Sequence, residues 1–187
     1  MYSGFMNGAY ISGTGVVISR KNPADFTDSF DYQSCTQVEL ENAIYRAKDA
    51  QQQWAALTPG ARARVLLKLA DLIEADAQTL TEIEVRETGK PVAVFRDGEL
   101  PFSADNLRFF ASGARSLDGT GAGVFSTGYT SMLVRQPVGI VGSIAPWNFP
   151  FVMAIWKVGP ALAAGNAVIL KPAPQTPGTA MRLAELG

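Results

Sequence analysis

The chain has 187 residues, with 16 Lys and Arg against 17 Asp and Glu, a single cysteine and no histidine. A net charge of −1 gives no basic field to follow a phosphate backbone, so nucleic-acid binding is not expected. A lone Cys35 closes no internal disulfide, and without histidine neither a histidine-ligated zinc site nor a Ser-His or Cys-His relay can be built.

At 47% hydrophobic and 18% charged, the chain can bury a sizeable core. Met1 to Gly13 lacks a basic stretch followed by an apolar one, so no secretory signal is read there. With the single thiol, this points to a reducing, cytoplasmic setting. The uncharged run from Gln136 to Trp156 is long enough to raise a membrane span, but Pro137, Pro146, Asn148 and Pro150 interrupt it and Lys157 closes it. A buried core segment, wrapped by other protein and not by lipid, is the expectation.

In chain order, Gly4 to Ile18 reads as a hairpin around Asn7-Gly8 and Gly13-Thr-Gly15. Asn22-Pro23 breaks it, and Phe26 to Cys35 reads as a short strand. Thr36 and Glu39 have capping-box spacing, and Leu40, Ala43, Ile44, Ala47, Ala50, Trp54 and Leu57 follow at helical intervals. Thr58-Pro59 starts a second helix with Val65, Leu66, Leu69, Leu72 and Ile73 on one face. A third helix, centred on Leu80 and Ile83, stops at Gly89-Lys-Pro91. Val92 to Leu117 is predicted helical, bent or split by Gly98 and Pro101.

From Asp118 the texture changes: Gly119, Gly121, Gly123 and Gly128 punctuate two β-prone pieces, Val124-Phe125 and Tyr129 to Val134. They read as a hairpin turning at Ser126 to Gly128. Pattern alone leaves this ribbon either an edge awaiting a partner chain or an ordinary surface hairpin.

Val138 to Ile144 is a wholly apolar run of the kind found in central parallel strands. Ala145-Pro-Trp-Asn-Phe-Pro150 breaks it, Phe151 to Ala164 is helical, Gly165-Asn166 ends that helix, and Ala167 to Leu170 is a second apolar strand. The order is strand, helix, strand: one βαβ unit, whose ligands bind beyond the carboxyl ends of the strands. Those ends are the loops Ala145 to Pro150 and Lys171 to Pro174. The G-x-G-x-x-G fingerprint is absent, since Gly139 and Gly142 lie inside the strand. Lys171 is either a solvated strand-end charge or a contact for ribose hydroxyls or a phosphate. Asn148 either braces its own loop or aims its amide at a developing oxyanion. Thr179 to Leu186 opens a further helix.

Ser143-Ile-Ala-Pro-Trp-Asn-Phe-Pro150, then Trp156-Lys157, Pro160-Ala-Leu-Ala-Ala-Gly-Asn166, Leu170-Lys-Pro172 and Thr176-Pro177, resembles the NAD(P)-dependent aldehyde dehydrogenase superfamily. Phe5-Met-Asn-Gly8, the helix with Trp54 and Glu87-Thr-Gly-Lys-Pro91 extend the resemblance over essentially the whole chain. Leu107-Arg-Phe-Phe-Ala111 and Trp156 lean towards its betaine and aminoaldehyde branch.

The resemblance implies an α/β fold: an incomplete doubly wound, Rossmann-like cofactor domain with a helical N-terminal layer and a protruding oligomerisation hairpin. Residues 1–122 would be the N-terminal part of the cofactor domain, 123–136 the hairpin, and 137–187 the first βαβ unit, truncated. It implies NAD or NADP as cofactor, a small aldehyde as substrate, and a homo-oligomer at full length. Asn148 matches the family's oxyanion-hole asparagine, which stabilises the thiohemiacetal formed when a cysteine thiolate attacks the aldehyde. Lys171 matches the lysine holding the adenosine ribose, and Ile144 and Trp147 match walls of the cofactor cleft. Phe149, Val152, Met153 and Trp156 share one helix face, which in the family lines the aldehyde tunnel and by spacing alone reads as a core stripe.

Two departures stand out. Where many NAD-specific members carry a carboxylate three residues after the lysine, this chain has Pro174, so NADP is not electrostatically excluded. The family's catalytic cysteine, general-base glutamate and Gly-rich pyrophosphate turn would all lie beyond the equivalent of Gly187, and Cys35 matches no nucleophile motif. The expectation is an N-terminal aldehyde dehydrogenase fragment that does not itself oxidise aldehydes. The alternative is a non-enzymatic remnant that binds a nucleotide or docks on a full-length subunit.

Overall fold

A computed structural model describes residues 3–117 and 121–187. The opening of the glycine-punctuated segment at Asp118 and Gly119 lies outside the described residues. Strands β1 (Gly4–Met6) and β2 (Ala9–Ile11) pair antiparallel, with Asn7 and Gly8 at φ 55° and 75° in the turn between them. Two successive positive-φ residues are what a tight hairpin demands, and an Asn-Gly pair supplies them at low steric cost. Strands β3 (Val17–Lys21) and β4 (Asp28–Gln33) form a second antiparallel ribbon. Phe26 belongs to the turn and not to the strand: Asn22 and Asp25 accept local backbone N–H groups there, and Phe26 is left at φ 60° and exposed.

Helix α1 (Gln37–Ala56) starts at the anticipated box, the Glu39 carboxylate accepting the Thr36 N–H at 2.6 Å and its hydroxyl at 2.7 Å. Those bonds hold the Glu39 carboxyl at about 2. No residue of α1 is buried, and Leu40 and Ile44 of the anticipated apolar stripe face outward. Helix α2 (Pro59–Ala75) buries Arg62, Ala63, Leu66, Leu69, Ala70 and Ile73, whereas Val65 and Leu72 stay exposed. The buried face is rotated from the predicted one because small Ala63 and Ala70 lie on it. Helix α3 (Ala77–Thr88) ends at Gly89, φ 70°, whose N–H bonds Val85 O.

Helices α4 (Val92–Val94) and α5 (Leu100–Gly113) flank a single π-helical stretch, Phe95–Glu99, so the run is split where Gly98 and Pro101 suggested. It stops at Gly113, short of the Leu117 expected, because Ala114 and Arg115 close a tighter turn onto Phe110 and Ser112. Strands β5 (Gly123–Ser126) and β6 (Tyr129–Ser131) form the predicted hairpin, turning on Gly128 at φ 81°. Val124, Phe125, Tyr129 and Met132 are all at least 70% exposed, so this ribbon packs on little of the described chain.

Strand β7 (Ile140–Ile144), helix α6 (Pro150–Ala163) and strand β8 (Ala167–Lys171) form the βαβ unit, with β7 and β8 parallel from Ile140–Ala167 to Ile144–Lys171. Helix α7 (Gly178–Leu186) follows. The core lies between α2, α5 and α6, where Leu66, Ile73, Leu107, Phe151 and Ile155 are buried and Phe95 meets Phe151 edge-on at 5.8 Å. A Cβ on Gly159 would come 2.7 Å from Phe110 Cδ2, so the glycine sets how closely α5 and α6 approach.

Arg62 ties this core to the βαβ unit: Nε donates to Ala163 O at 3.1 Å and Nη1 to Leu57 O at 2.5 Å. Arg62→Met keeps the aliphatic bulk but removes the donor of the buried Ala163 carbonyl and of the part-buried Leu57 carbonyl. Urea unfolding should show it less stable by about 1.5–3 kcal/mol, as expected for hydrogen bonds to a charged group.

Candidate functional site

The two loops singled out in the sequence leave the same end of the parallel pair. Ile144 and Lys171 are register partners, and the Ala145 N–H bonds Lys171 O at 3.0 Å, which holds the loops side by side. Ile144 is 70% exposed and Trp147 62%, so both present apolar surface to solvent beside the strand ends. The Lys171 ammonium is exposed, and among the described residues it donates only to Pro172 O, at 3.2 Å. Asn148 is exposed and its side-chain amide makes no hydrogen bond with any described residue, so it does not brace its own loop. The loop after β8 is anchored from behind: Pro174 O accepts Arg20 Nε at 3.0 Å and the Tyr32 hydroxyl at 2.9 Å.

The four-residue face on α6 divides. Val152 is buried in the protein interior, Met153 is half-buried, and Phe149 and Trp156 are exposed. Trp156 has neighbours that spacing did not reveal: its indole N–H donates to Asn106 Oδ1 at 3.1 Å, and the Phe102 ring lies 6.1 Å away. Both come from α5, so only the α5–α6 packing brings them to this face.

Behind the Asn148 loop lies an ionic cluster that the sequence did not disclose. Lys90 Nζ bridges Glu84 Oε1 at 3.0 Å and Glu99 Oε2 at 2.6 Å, and it stands 5.4 Å from the Phe149 ring centroid and 5.8 Å from that of Phe95. Glu84 also accepts the Thr179 hydroxyl at 2.8 Å, and Glu87 accepts the Gly178 N–H at 2.9 Å. Burial pushes the Glu84 carboxyl upward against the pull of Lys90. Burial also raises Glu87 to about 8, reinforced by the Glu84 charge and opposed by the Gly178 hydrogen bond. The only sequence signal was the Glu87-Thr-Gly-Lys-Pro91 turn, which does not disclose Glu99, Thr179 or Phe149 as partners.

Cys35 follows β4, is exposed, and donates its S–H to Ser3 O; desolvation, with the nearby Glu39 charge, keeps its pKa raised. That is the opposite of an activated thiolate. Among the described residues no group of three or more His, Cys, Asp or Glu is placed to hold a metal, and no helix is long and apolar enough to cross a membrane. A cleft of about 420 Å³, lined in part by Asn22, Thr81, Arg86 and Arg96, lies along α3 and includes none of the predicted site residues.

The parallel βαβ unit, with both loops at the carboxyl ends of its strands, makes this an α/β, Rossmann-like domain. The aldehyde dehydrogenase family pattern matches residues 10–187, and the chain belongs to that family. It is 36% identical over 186 residues to the long-chain-aldehyde dehydrogenase of an Acinetobacter species, covering 99% of this chain and 37% of that protein. It is 41% identical over 151 residues to the NADP/NAD-dependent aldehyde dehydrogenase PuuC of Escherichia coli K12, covering 80% of this chain and 30% of that one. The crystal structure of PnpE in complex with nicotinamide adenine dinucleotide superposes with a TM-score of 0.93 at 34% identity, over 100% of this chain and 38% of PnpE. The chain thus spans between 30% and 38% of the length of these relatives.

The raised carboxyls carry a pH consequence. Between the ordinary carboxyl value of 4.5 and about 8, Glu87 is protonated in the folded state and ionised in the unfolded one. The folded state then binds more protons, so stability falls as pH rises from about 5 to about 8 and levels off above. Glu84 adds to the same slope. Thermal melts across this range should show the decline, and Glu87→Gln should flatten it while keeping an acceptor for Gly178.

Proposed function

We propose that the chain is the N-terminal, cofactor-facing part of an NAD(P)-dependent aldehyde dehydrogenase, which oxidises an aldehyde to a carboxylic acid through a cysteine thiohemiacetal. The observation that carries this reading is the β7–β8 register, which sets Ile144 opposite Lys171 with the Asn148 loop beside them. The residues present suit a dinucleotide: exposed apolar side chains for a flat base, an exposed lysine whose ammonium bonds only a neighbouring carbonyl among the described residues, and loops at the carboxyl ends of parallel strands. When bound, NAD(P)+ supplies the hydride acceptor.

In this reading the Lys171 ammonium donates to the adenosine ribose hydroxyls, and Ile144 and Trp147 wall the adenine. The Asn148 amide, which bonds no other described residue, donates to the substrate oxygen as it gains negative charge, an interaction stronger in the transition state than in the ground state. Phe149, Met153 and Trp156 line the approach of a small aldehyde, with Val152 supporting them from the core side. The catalytic cysteine and general-base glutamate are not supplied by residues 1–187, and Cys35 is not a substitute. The β5–β6 hairpin, within 123–136, serves as a homo-oligomerisation ribbon at full length, since its exposed apolar residues need a partner surface.

Cofactor choice stays open to both forms. Pro174 puts no carboxylate beside the ribose, so nothing there repels a 2′-phosphate. The relatives span several aldehyde dehydrogenases and single out no branch of the family, so the betaine and aminoaldehyde lean rests on Leu107-Arg-Phe-Phe-Ala111 and Trp156 alone.

Two measurements test this. Titrating the chain with NAD+ and NADP+ should give dissociation constants at least about tenfold weaker for Lys171→Ala than for the parent, the loss of one charge-assisted hydrogen bond; superimposable curves would sink the assignment. A clean preparation of residues 1–187 should show no NAD(P)-dependent aldehyde oxidation. Turnover that disappears in Asn148→Ala would mean that the chain carries its own nucleophile.

A further inference from the structure

The π-helical stretch Phe95–Glu99 is the one irregular turn in the run from Val92 to Gly113, and both of its buried residues, Phe95 and Glu99, meet the same ammonium. That ammonium, Lys90 Nζ, joins four parts of the chain: Glu84 of α3, the π-helical stretch, α7 through the Thr179–Glu84 bond, and the Phe149 ring. The two carboxylate side chains are 0% and 10% exposed and that of Lys90 12%, so little water competes for the charge. Phe149 itself is 47% exposed and lies at the start of α6, where core packing alone does not hold its ring. It is also the residue next to Asn148, whose amide has no partner among the described residues.

We propose that Lys90 is a positioning residue for Asn148: held by Glu84 and Glu99, its ammonium attracts the face of the Phe149 ring and thereby fixes the orientation of the loop that presents the asparagine amide. An aromatic face near a cation is drawn by its quadrupole, and a cation already pinned by two carboxylates cannot move to meet the ring, so the ring moves to the cation. An amide that stabilises a developing oxyanion must be aimed before charge appears, and a loop of this length between two prolines has no hydrogen bond of its own side chain to aim it. The catalytic value of this aim rests on the function proposed above; the aim itself does not.

The test labels the chain with 15N-asparagine and measures backbone order at Asn148, assigned through Asn148→Ala, with Asn166 as internal control because it is buried and bonded to Gly139 and Ala161. In the parent and in Lys90→Arg, Asn148 should be rigid, with an order parameter near 0.85. In Phe149→Leu and in Lys90→Met it should fall below about 0.6 while Asn166 is unchanged, and the double variant should be no looser than either single one. Phe149→Leu leaves the ion cluster intact, so the test survives if Lys90→Met does not fold. Three results overturn the proposal: an Asn148 that is mobile in the parent, one that stays rigid in Phe149→Leu, or Asn148 and Asn166 loosening together. Because no nucleotide is present, a loosened Asn148 together with unaltered nucleotide titrations for Lys171→Ala would uphold the positioning and reject the function.

Discussion

An α-helix leaves its last carbonyls without helical partners, and α6 has to end in the protein interior. The corner at its C-terminus meets that demand group by group. Pro160 O takes the Ala164 N–H, and Ala161 O takes both the N–H and the side-chain amide of Asn166. Leu162 O takes the Gly165 N–H and the Trp54 indole, Ala163 O takes Arg62, and Gly165 O takes Gln51. Gly165, at φ 90°, makes the turn, and the Asn166 side-chain Oδ1 then accepts the Gly139 N–H at 3.0 Å. Asn166 is the link that matters most, because it bonds both the helix end and the start of β7. With Gly139 and Ala167 so joined, the β7–β8 register follows, and Ile144 arrives opposite Lys171 at the far end.

The opposite end of α6 is organised by charge and not by backbone capping. No side chain caps it, and Pro150 at its first position needs no partner. What stands behind this end is the ammonium of Lys90 between Glu84 and Glu99. Such buried ionic groups are costly to desolvate and contribute little net stability unless every member is paired. Here Glu84 has both Lys90 and Thr179 and Glu99 has Lys90, so every ionic member is paired, and the cluster ties α3, the π-helical stretch and the first turn of α7 together. The helix therefore has one end fixed by hydrogen-bond accounting and one by a single cation, with the proposed chemistry at the second.

Much of this was legible in the sequence where local rules decide the outcome. The apolar run to Ile144, the proline-rich break and the Gly165-Asn166 stop identify strand, loop and helix without any tertiary information, and Asn7-Gly8 identifies its hairpin. Residues whose fate depends on what packs against them were less legible. Val65 and Leu72 have the spacing of a buried face, yet Ala63 and Ala70 occupy it, since small side chains suit the close approach of a neighbouring helix. Val152 and Trp156 share a face by spacing, yet Val152 is buried while Trp156, met by Asn106 and Phe102 of α5, stays 44% exposed. Lys90, Glu84 and Glu99 read singly as surface charges; a cluster assembled from α3, the π-helical stretch and α7 has no period for a sequence to display. The uncharged run from Gln136 to Trp156 suggested wrapping by other protein, and Val138, Ile144 and Trp147 remain open on this chain, which covers 37–38% of relatives such as the Acinetobacter enzyme and PnpE.

The proposed function requires this scaffold to hold the strand-end loops as a nucleotide-binding face. The most direct measurement is a backbone amide shift map of the 15N-labelled chain on adding NAD+. Saturable shifts confined to Val141–Phe149 and Lys171–Gln175 are the predicted result. Shifts clustered instead along the α3 cleft around Arg86 and Arg96, or no saturable shift at millimolar nucleotide, would contradict it.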